Sequence, residues 1–227
     1  MSLPGWLAPY DRDGAIAEAF GVFTRRHALH AAAAGVSAAA GVHGLAADAQ
    51  AASSSDRGDV AVLNYALTLE YIQAAFYSEA ERAGALRGPL AEQARVVGAH
   101  ERAHVAAFRR VLGTQAVAAP RFDFRGTTED ADAFRKTAVA FEDLAVAAYK
   151  DQIPLLQQPA FLAAAVAIHS VEARHAAWIR RLAGVLPAAH AFDDPLPRAE
   201  VARLVASTRF VVSRPRTTGA GAPRLTG

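Results

Sequence analysis

The sequence predicts an all-α protein, a four-helix bundle of two antiparallel helical hairpins joined by a long crossover, with a short helix after it. Three observations carry this. Apolar residues recur at threes and fours through four stretches between about 59 and 184. Each stretch is bounded by Gly or Pro. The second half repeats the first: Leu69-Glu70 with Tyr77 seven residues on corresponds to Phe141-Glu142 with Tyr149, and each pair is followed about thirty residues later by a Glu-x-x-His tetrad.

The first helix is expected from Asp59 to Arg82, ahead of Gly84, with Leu63, Leu67, Glu70, Ala74 and Tyr77 on one face. The second opens behind Gly88 and Pro89, a residue suited to a first helical turn, and ends near Gly113; its inward stripe reads Leu90, Ala94, Val97, Glu101, His104, Phe108 and Val111. The third is expected after cap candidates Thr127 and Thr128, with Glu129 and Asp130 in its first turn, and runs to Ile153 before Pro154. Its stripe is Ala138, Glu142, Ala145, Val146, Tyr149 and Ile153. The fourth runs from Pro159 to Ala183 and carries Phe161, Ala165, Ile168, Glu172, His175, Ile179 and Leu182 on one side. A short helix is expected near 200–206.

Connection lengths select the topology. A few residues around Leu86 and a few around Gln157 force two antiparallel hairpins. The link from Thr114 to Gly126 reaches about 40 Å when extended, the length of a helix of about twenty-five residues, so a crossover along the bundle is feasible.

Four carboxylates on apolar faces need an explanation. Glu70, Glu101, Glu142 and Glu172 fall near the midpoints of their helices, where side-by-side packing brings them to one level with His104 and His175. Positions i and i+3 share a helix face, so each tetrad can grip one cation. Unpaired buried carboxylates would cost several kcal/mol apiece, and two divalent cations would balance their four charges. Hard oxygen with imidazole and no thiolate suits iron(II) or manganese(II) better than zinc.

Residues 59–184 resemble the ferritin-like superfamily of di-metal carboxylate proteins, in which two helices each give one glutamate and two others each give one Glu-x-x-His. The order Glu70, Glu101, His104, Glu142, Glu172, His175 matches that pattern. The resemblance implies two metal ions, iron or manganese, bridged by Glu101 and Glu172 as the reactive pair, with His104 and His175 anchoring one ion each and Glu70 and Glu142 as terminal ligands. It implies O2 or peroxide chemistry by an oxidoreductase such as a ferroxidase; a di-manganese catalase-like enzyme and a non-enzymatic metal-binding envelope or stress protein are the alternatives. The run Phe192-Asp193-Asp194-Pro195-Leu196-Pro197 resembles exported bacterial ferritin-like proteins related to plant desiccation-related proteins. Tyr77 and Tyr149, each two turns from its own glutamate, are expected to reach across the core, Tyr77 to Glu142 and Tyr149 to Glu70.

Other residues take plainer readings. His100 and His169 sit a step off the main stripe and read as surface or outer-layer packing. Tyr65, Tyr71 and Trp178 read as bundle packing, and Arg174, Arg180 and Arg181 as a solvated face or an oligomer contact.

Before the bundle, Thr24-Arg25-Arg26 precedes an Ala- and Gly-rich run from Ala28 to Ala47, and Ala47-Asp48-Ala49 offers a small-x-small cleavage site. Residues 1–49 therefore resemble a twin-arginine export signal, which implies a periplasmic or envelope location; read as an Ala-rich arm, they leave a cytoplasmic protein. The run is too weakly apolar for a membrane span. Residues 50–212 form the bundle with its extension, and 213–227, rich in Pro, Gly, Thr and Arg, are expected to be disordered. Net charge is +2; residues 1–49 carry three basic and four acidic side chains, so their removal leaves +3, and the charge makes no case for nucleic acid. There are no cysteines, hence no disulfides or thiolate ligands.

Overall fold

The computed structural model describes residues 44–213, with side chains from Arg57 to Val212. Most of the predicted signal and all but one residue of the predicted tail lie outside them. The chain divides into two compact units, Met1–Ser53 and Ser54–Gly227. The first contributes helical backbone from Gly44, and the second carries the bundle.

Helix α1 spans Gly44–Ala83, α2 Gly88–Leu112, α3 Ala131–Gln152, α4 Pro159–Leu182 and α5 Arg198–Thr208. The start of α1 lies well before Asp59, where amphipathic periodicity begins; the Ala-rich stretch ahead of it has high intrinsic helix propensity without an apolar face. The hairpin between α1 and α2 turns on Gly84 (φ 62°) and Gly88 (φ 56°), a backbone region that glycine enters without steric cost.

The expected cap of α3 is corrected. Asp130, not a threonine, caps the helix: its carboxylate accepts from Asp132 N at 3.0 Å and Ala133 N at 2.8 Å. A negative charge suits the helix N-terminus. Thr128 is fully buried and donates to Glu79 at 3.0 Å, while Thr127 donates to the Phe124 carbonyl at 2.8 Å. Val111 also departs from expectation. It is 55% exposed and Leu112 takes the inward place, because the 3.6-residue period requires a step of four, not three, after Phe108.

Side-chain pairings fix the directions of the helices. Glu70 meets Tyr149 and Tyr77 meets Glu142, so α1 and α3 run antiparallel. His104 lies beside Glu172 and His175 beside Glu101, so α2 and α4 do too. With both hairpins antiparallel, α2 and α3 are parallel and their link must travel the bundle's length. That link follows α1. Asn64 bonds both Gln115 O (2.9 Å) and Val117 N (2.8 Å), the Tyr71 hydroxyl donates to Val117 O (3.1 Å), and further along Phe124 packs against Phe76 with ring centroids 5.3 Å apart.

Two short strands add to the predicted helices: β1 (Arg121–Phe122) in the crossover pairs antiparallel with β2 (Val211–Ser213) after α5. Phe210, just before β2, packs on Phe124 and Phe141. Helix α5 lays Val201 against Tyr65, Leu69 and Ala148. At the opposite end, fully buried Asp59 of α1 accepts from the backbone N–H of Gln157 (2.8 Å) and Gln158 (3.0 Å), tying the α3–α4 turn to α1.

Among the described residues no helix is long and apolar enough to cross a membrane.

Candidate metal centre

Each of the four long helices delivers a carboxylate to the core at one level. Glu70, Glu101, Glu142 and Glu172 are all 0–1% exposed. They stand at core positions because the apolar residues three, four or seven away on the same faces are buried: Leu67 and Ala74 around Glu70, Val97 and Phe108 around Glu101, Ala138 and Ala145 around Glu142, Ala165 and Ile179 around Glu172. His104 and His175 stand one turn beyond Glu101 and Glu172.

The six side chains meet. His104 Nδ1 lies 3.2 Å from Glu70 Oε2, 3.1 Å from Glu172 Oε1 and 3.8 Å from Glu101 Oε2. His175 Nδ1 lies 3.0 Å from Glu101 Oε1 and 3.6 Å from both Glu142 Oε2 and Glu172 Oε2. Two overlapping donor groups result, Glu70–Glu101–His104–Glu172 and Glu101–Glu142–Glu172–His175, each with its donor atoms within 4.8 Å of one another. Glu101 and Glu172 belong to both groups.

The electrostatics are those of crowded charge in a low-dielectric core. Burial raises the Glu101 carboxyl well above its usual range, and the neighbouring Glu172 and Glu70 charges add to that. Burial also raises Glu142. For Glu172 burial pushes the same way, but the close approach of His104 and His175 and their positive charge outweigh it and hold the carboxyl at about 2. Burial alone would lower both imidazoles. Contacts with Glu101, Glu142 and Glu172 overcome it and drive His175 to about 12, and the Glu70 charge with close contacts to Glu101, Glu172 and Glu70 raises His104 well above its ordinary value.

Even so, the polar atoms are under-satisfied. Both oxygens of Glu101, both of Glu172, Glu142 Oε2 and His175 Nδ1 are buried without a well-aligned hydrogen bond, so the short distances to the histidines are ionic proximity only. Orphaned buried oxygens are rare in native proteins and call for an ion or a water. A cluster of unpaired carboxylate lone pairs with a convergent imidazole nitrogen can hold metal ions.

The two tyrosines cross the core. Tyr77, fully buried, donates to Glu142 Oε1 at 2.5 Å, and Tyr149 donates to Glu70 Oε1 at 2.5 Å. Burial and the charge of the carboxylate each one meets raise both phenols well above their usual value, so both stay donors. Gln93 Nε2 makes a long 3.5 Å contact to the Tyr77 hydroxyl. Close approach of α2 to Tyr77 depends on Gly98, where a side-chain Cβ would lie 3.0 Å from Tyr77 Cβ.

The outer-layer reading of His100 understates it. Its Nδ1 lies 2.9 Å from Nε2 of His175, the nitrogen facing away from the carboxylates. Burial first, then the His175 and His104 charges, push its pKa down to about 4. The signal was available once α2 and α4 were set antiparallel, since the residue next to Glu101 then faces His175. His169 stays outside the cluster, its ring centroid 6.3 Å from that of Tyr149. Tyr71 anchors the crossover, Tyr65 lies under the Arg198 guanidinium at 4.7 Å, and Arg180, read as a solvated face or contact residue, instead pairs with Asp143 at 2.6 Å.

No curated protein matches this chain. Residues 58–185 match the ferritin-like domain family, over the stretch that contains α2, α3, α4, the part of α1 from residue 58 onward and the six acidic and histidine side chains of the cluster. The chain belongs to the ferritin-like domain family.

Proposed function

We propose that this protein is a di-metal oxidoreductase that holds two iron(II) ions, or manganese(II) in their place, and consumes O2 or hydrogen peroxide, with ferroxidase activity as its simplest form. The observation that carries the reading is the set of buried carboxylate oxygens without hydrogen bonds, converging with His175 Nδ1. Glu101 and Glu172, which belong to both donor groups, would be shared by the two ions; His104 and His175 would each hold one, and Glu70 and Glu142 would complete the set. When bound, the metal pair supplies two adjacent one-electron redox centres.

The chain's own residues do the rest. Without metal, the close, positively charged His104 and His175 hold Glu172 ionised, so a carboxylate stands ready at the centre for a cation. Tyr77 and Tyr149 fix the orientation of the terminal carboxylates, as outer partners do around metal ligands. The apolar faces above and below exclude bulk water, which strengthens every charge interaction inside.

Loading the full chain anaerobically with iron(II), measuring bound metal, and then following O2 and peroxide consumption tests this. Two ions and oxidant-dependent oxidation of iron are expected. Peroxide disproportionation with manganese alone would move the reading to a catalase-like enzyme, and bound metal without turnover would make the metal structural.

We also place the protein outside the cytoplasm, in the branch related to desiccation-related proteins, on the Thr24-Arg25-Arg26 motif and the Phe192–Pro197 run. Fusing residues 1–55 to a reporter should give export that is lost when Arg25 and Arg26 are both changed to lysine; export that survives the change removes the twin-arginine route.

A further inference from the structure

The repeat that relates the two halves of the site breaks directly beside the two glutamates of its tetrads. The residue before Glu101 is His100; the residue before Glu172 is Val171, which offers no polar side-chain atom. His100 Nδ1 contacts His175 Nε2 at 2.9 Å, and the two ring planes are within 17° of parallel. The direction of that bond follows from what His175 must do. For His175 Nδ1 to hold a cation it must carry no proton, so the ring's proton sits on Nε2 and Nε2 is the donor. A doubly protonated His175 likewise donates from Nε2. In either state His100 Nδ1 is the acceptor. Exposure differs across the site in the same sense: the His175 side chain is 3% exposed, that of His104 13%.

We propose that His100 is a positioning residue that makes the two metal positions unequal. By accepting the Nε2 proton of His175 it fixes that ring's tautomer and aims Nδ1 at Glu101, Glu142 and Glu172, so this half fills first and holds its ion more tightly. The His104 half, with a valine where the repeat would put this partner, holds its ion less tightly and exchanges it more readily. The proposal rests on the di-metal reading above. A graded pair suits a site that keeps one ion resident and takes the other as the species to be oxidised.

The test uses the full chain stripped of metal and titrated with zinc(II) alone, and with cobalt(II) alone, by calorimetry. Wild type should show two resolved steps. His100→Leu, which keeps bulk but accepts no hydrogen bond, should loosen the first step about 10- to 100-fold and leave the second unchanged, so the steps merge. His100→Asn, whose Oδ1 can stand where Nδ1 does, should restore the separation. In nitrogen-15 spectra of the zinc-loaded protein the hydrogen-bonded Nε2–H signal of His175 should shift in His100→Leu and return in His100→Asn, a change that packing alone would not produce. Steps unchanged in His100→Leu, both steps loosened equally, or no rescue by His100→Asn would overturn the proposal while leaving two bound ions intact. A wild type that binds neither metal would overturn the di-metal reading itself and this one with it.

Discussion

Removing the Tyr77 hydroxyl isolates one buried contact whose cost can be worked out. In Tyr77→Phe the ring stays packed against Phe76 and Phe134, so little volume is lost. What disappears is the 2.5 Å bond to Glu142 Oε1 in a pocket where both residues are fully buried and no solvent can substitute. Glu142 Oε2 already lacks an aligned partner, so the carboxyl loses its only direct hydrogen bond among the described residues, and Gln93 Nε2 loses its 3.5 Å contact as well. A bond to an ionisable group of this kind contributes about 1.5–3 kcal/mol. At roughly 2–4 °C per kcal/mol for a chain of this size, the metal-free variant should melt about 3–12 °C lower. Tyr149→Phe should cost less, because Glu70 keeps its 3.2 Å contact to His104 Nδ1. Thermal melts of both variants read this directly, and Tyr77→Phe made in a Glu142→Gln background should cost less than in wild type. Melting points of both variants within about 1 °C of wild type, or Tyr149→Phe costing more than Tyr77→Phe, would refute the reasoning.

Glu101→Ala, which removes a carboxylate common to both donor groups, should reduce bound metal from about two ions to one or none, measured by metal analysis after dialysis; unchanged content would remove the bridging role. The metal-free protein should become less stable in urea as pH rises from 6.5 towards 9. His104 and His175 titrate above their ordinary 6.5, His175 at about 12, so the folded state binds the extra protons and their stabilisation, complete below 6.5, drains away at up to about 1.4 kcal/mol per pH unit per proton. Raised Glu101 and Glu142 act in the same direction, and Glu172 opposes it only below its ordinary 4.5; a midpoint that climbs with pH over this window would contradict the assignment. Asp59→Ala should cost about 1–3 kcal/mol by stranding the Gln157 and Gln158 N–H groups at the start of α4, and a urea midpoint equal to wild type would show that water replaces the carboxylate.

What the sequence made legible was whatever obeys a period or a repeat. Helix periodicity put Glu70, Glu101, Glu142 and Glu172 on core faces, the hairpin repeat paired Tyr77 with Glu142 and Tyr149 with Glu70, and loop lengths made the crossover feasible. Features without a period stayed hidden. The cap of α3 was misassigned because Thr127, Thr128 and Asp130 all satisfy the composition rule, and the choice turned on Thr128 being drawn inward to Glu79. The Arg121–Phe122 strand is too short to show alternation. Asp59 read as a helix start, yet its partners lie about a hundred residues away. His100 escaped for the opposite reason to the ligands: it breaks the repeat that revealed them.

The seam between β1 and β2 bears on how the molecule is made. Strand β2 and Phe210 are among the last described residues, yet they close over Phe124 and Phe141 in the middle of the sequence and pair with the crossover. Contacts that join such distant residues must await loop closure, which lowers folding rate. During synthesis from the N-terminus the four long helices emerge with this aromatic face still uncovered. The bundle is therefore completed only after residues 210–213 have emerged, and until then Phe124 and Phe141 present an adhesive surface that a chaperone could shield and a crowded nascent chain could misuse. Any extension fused tightly behind Phe210 would compete with that final closure, whereas one placed beyond residue 213 would leave the seam free to zip shut.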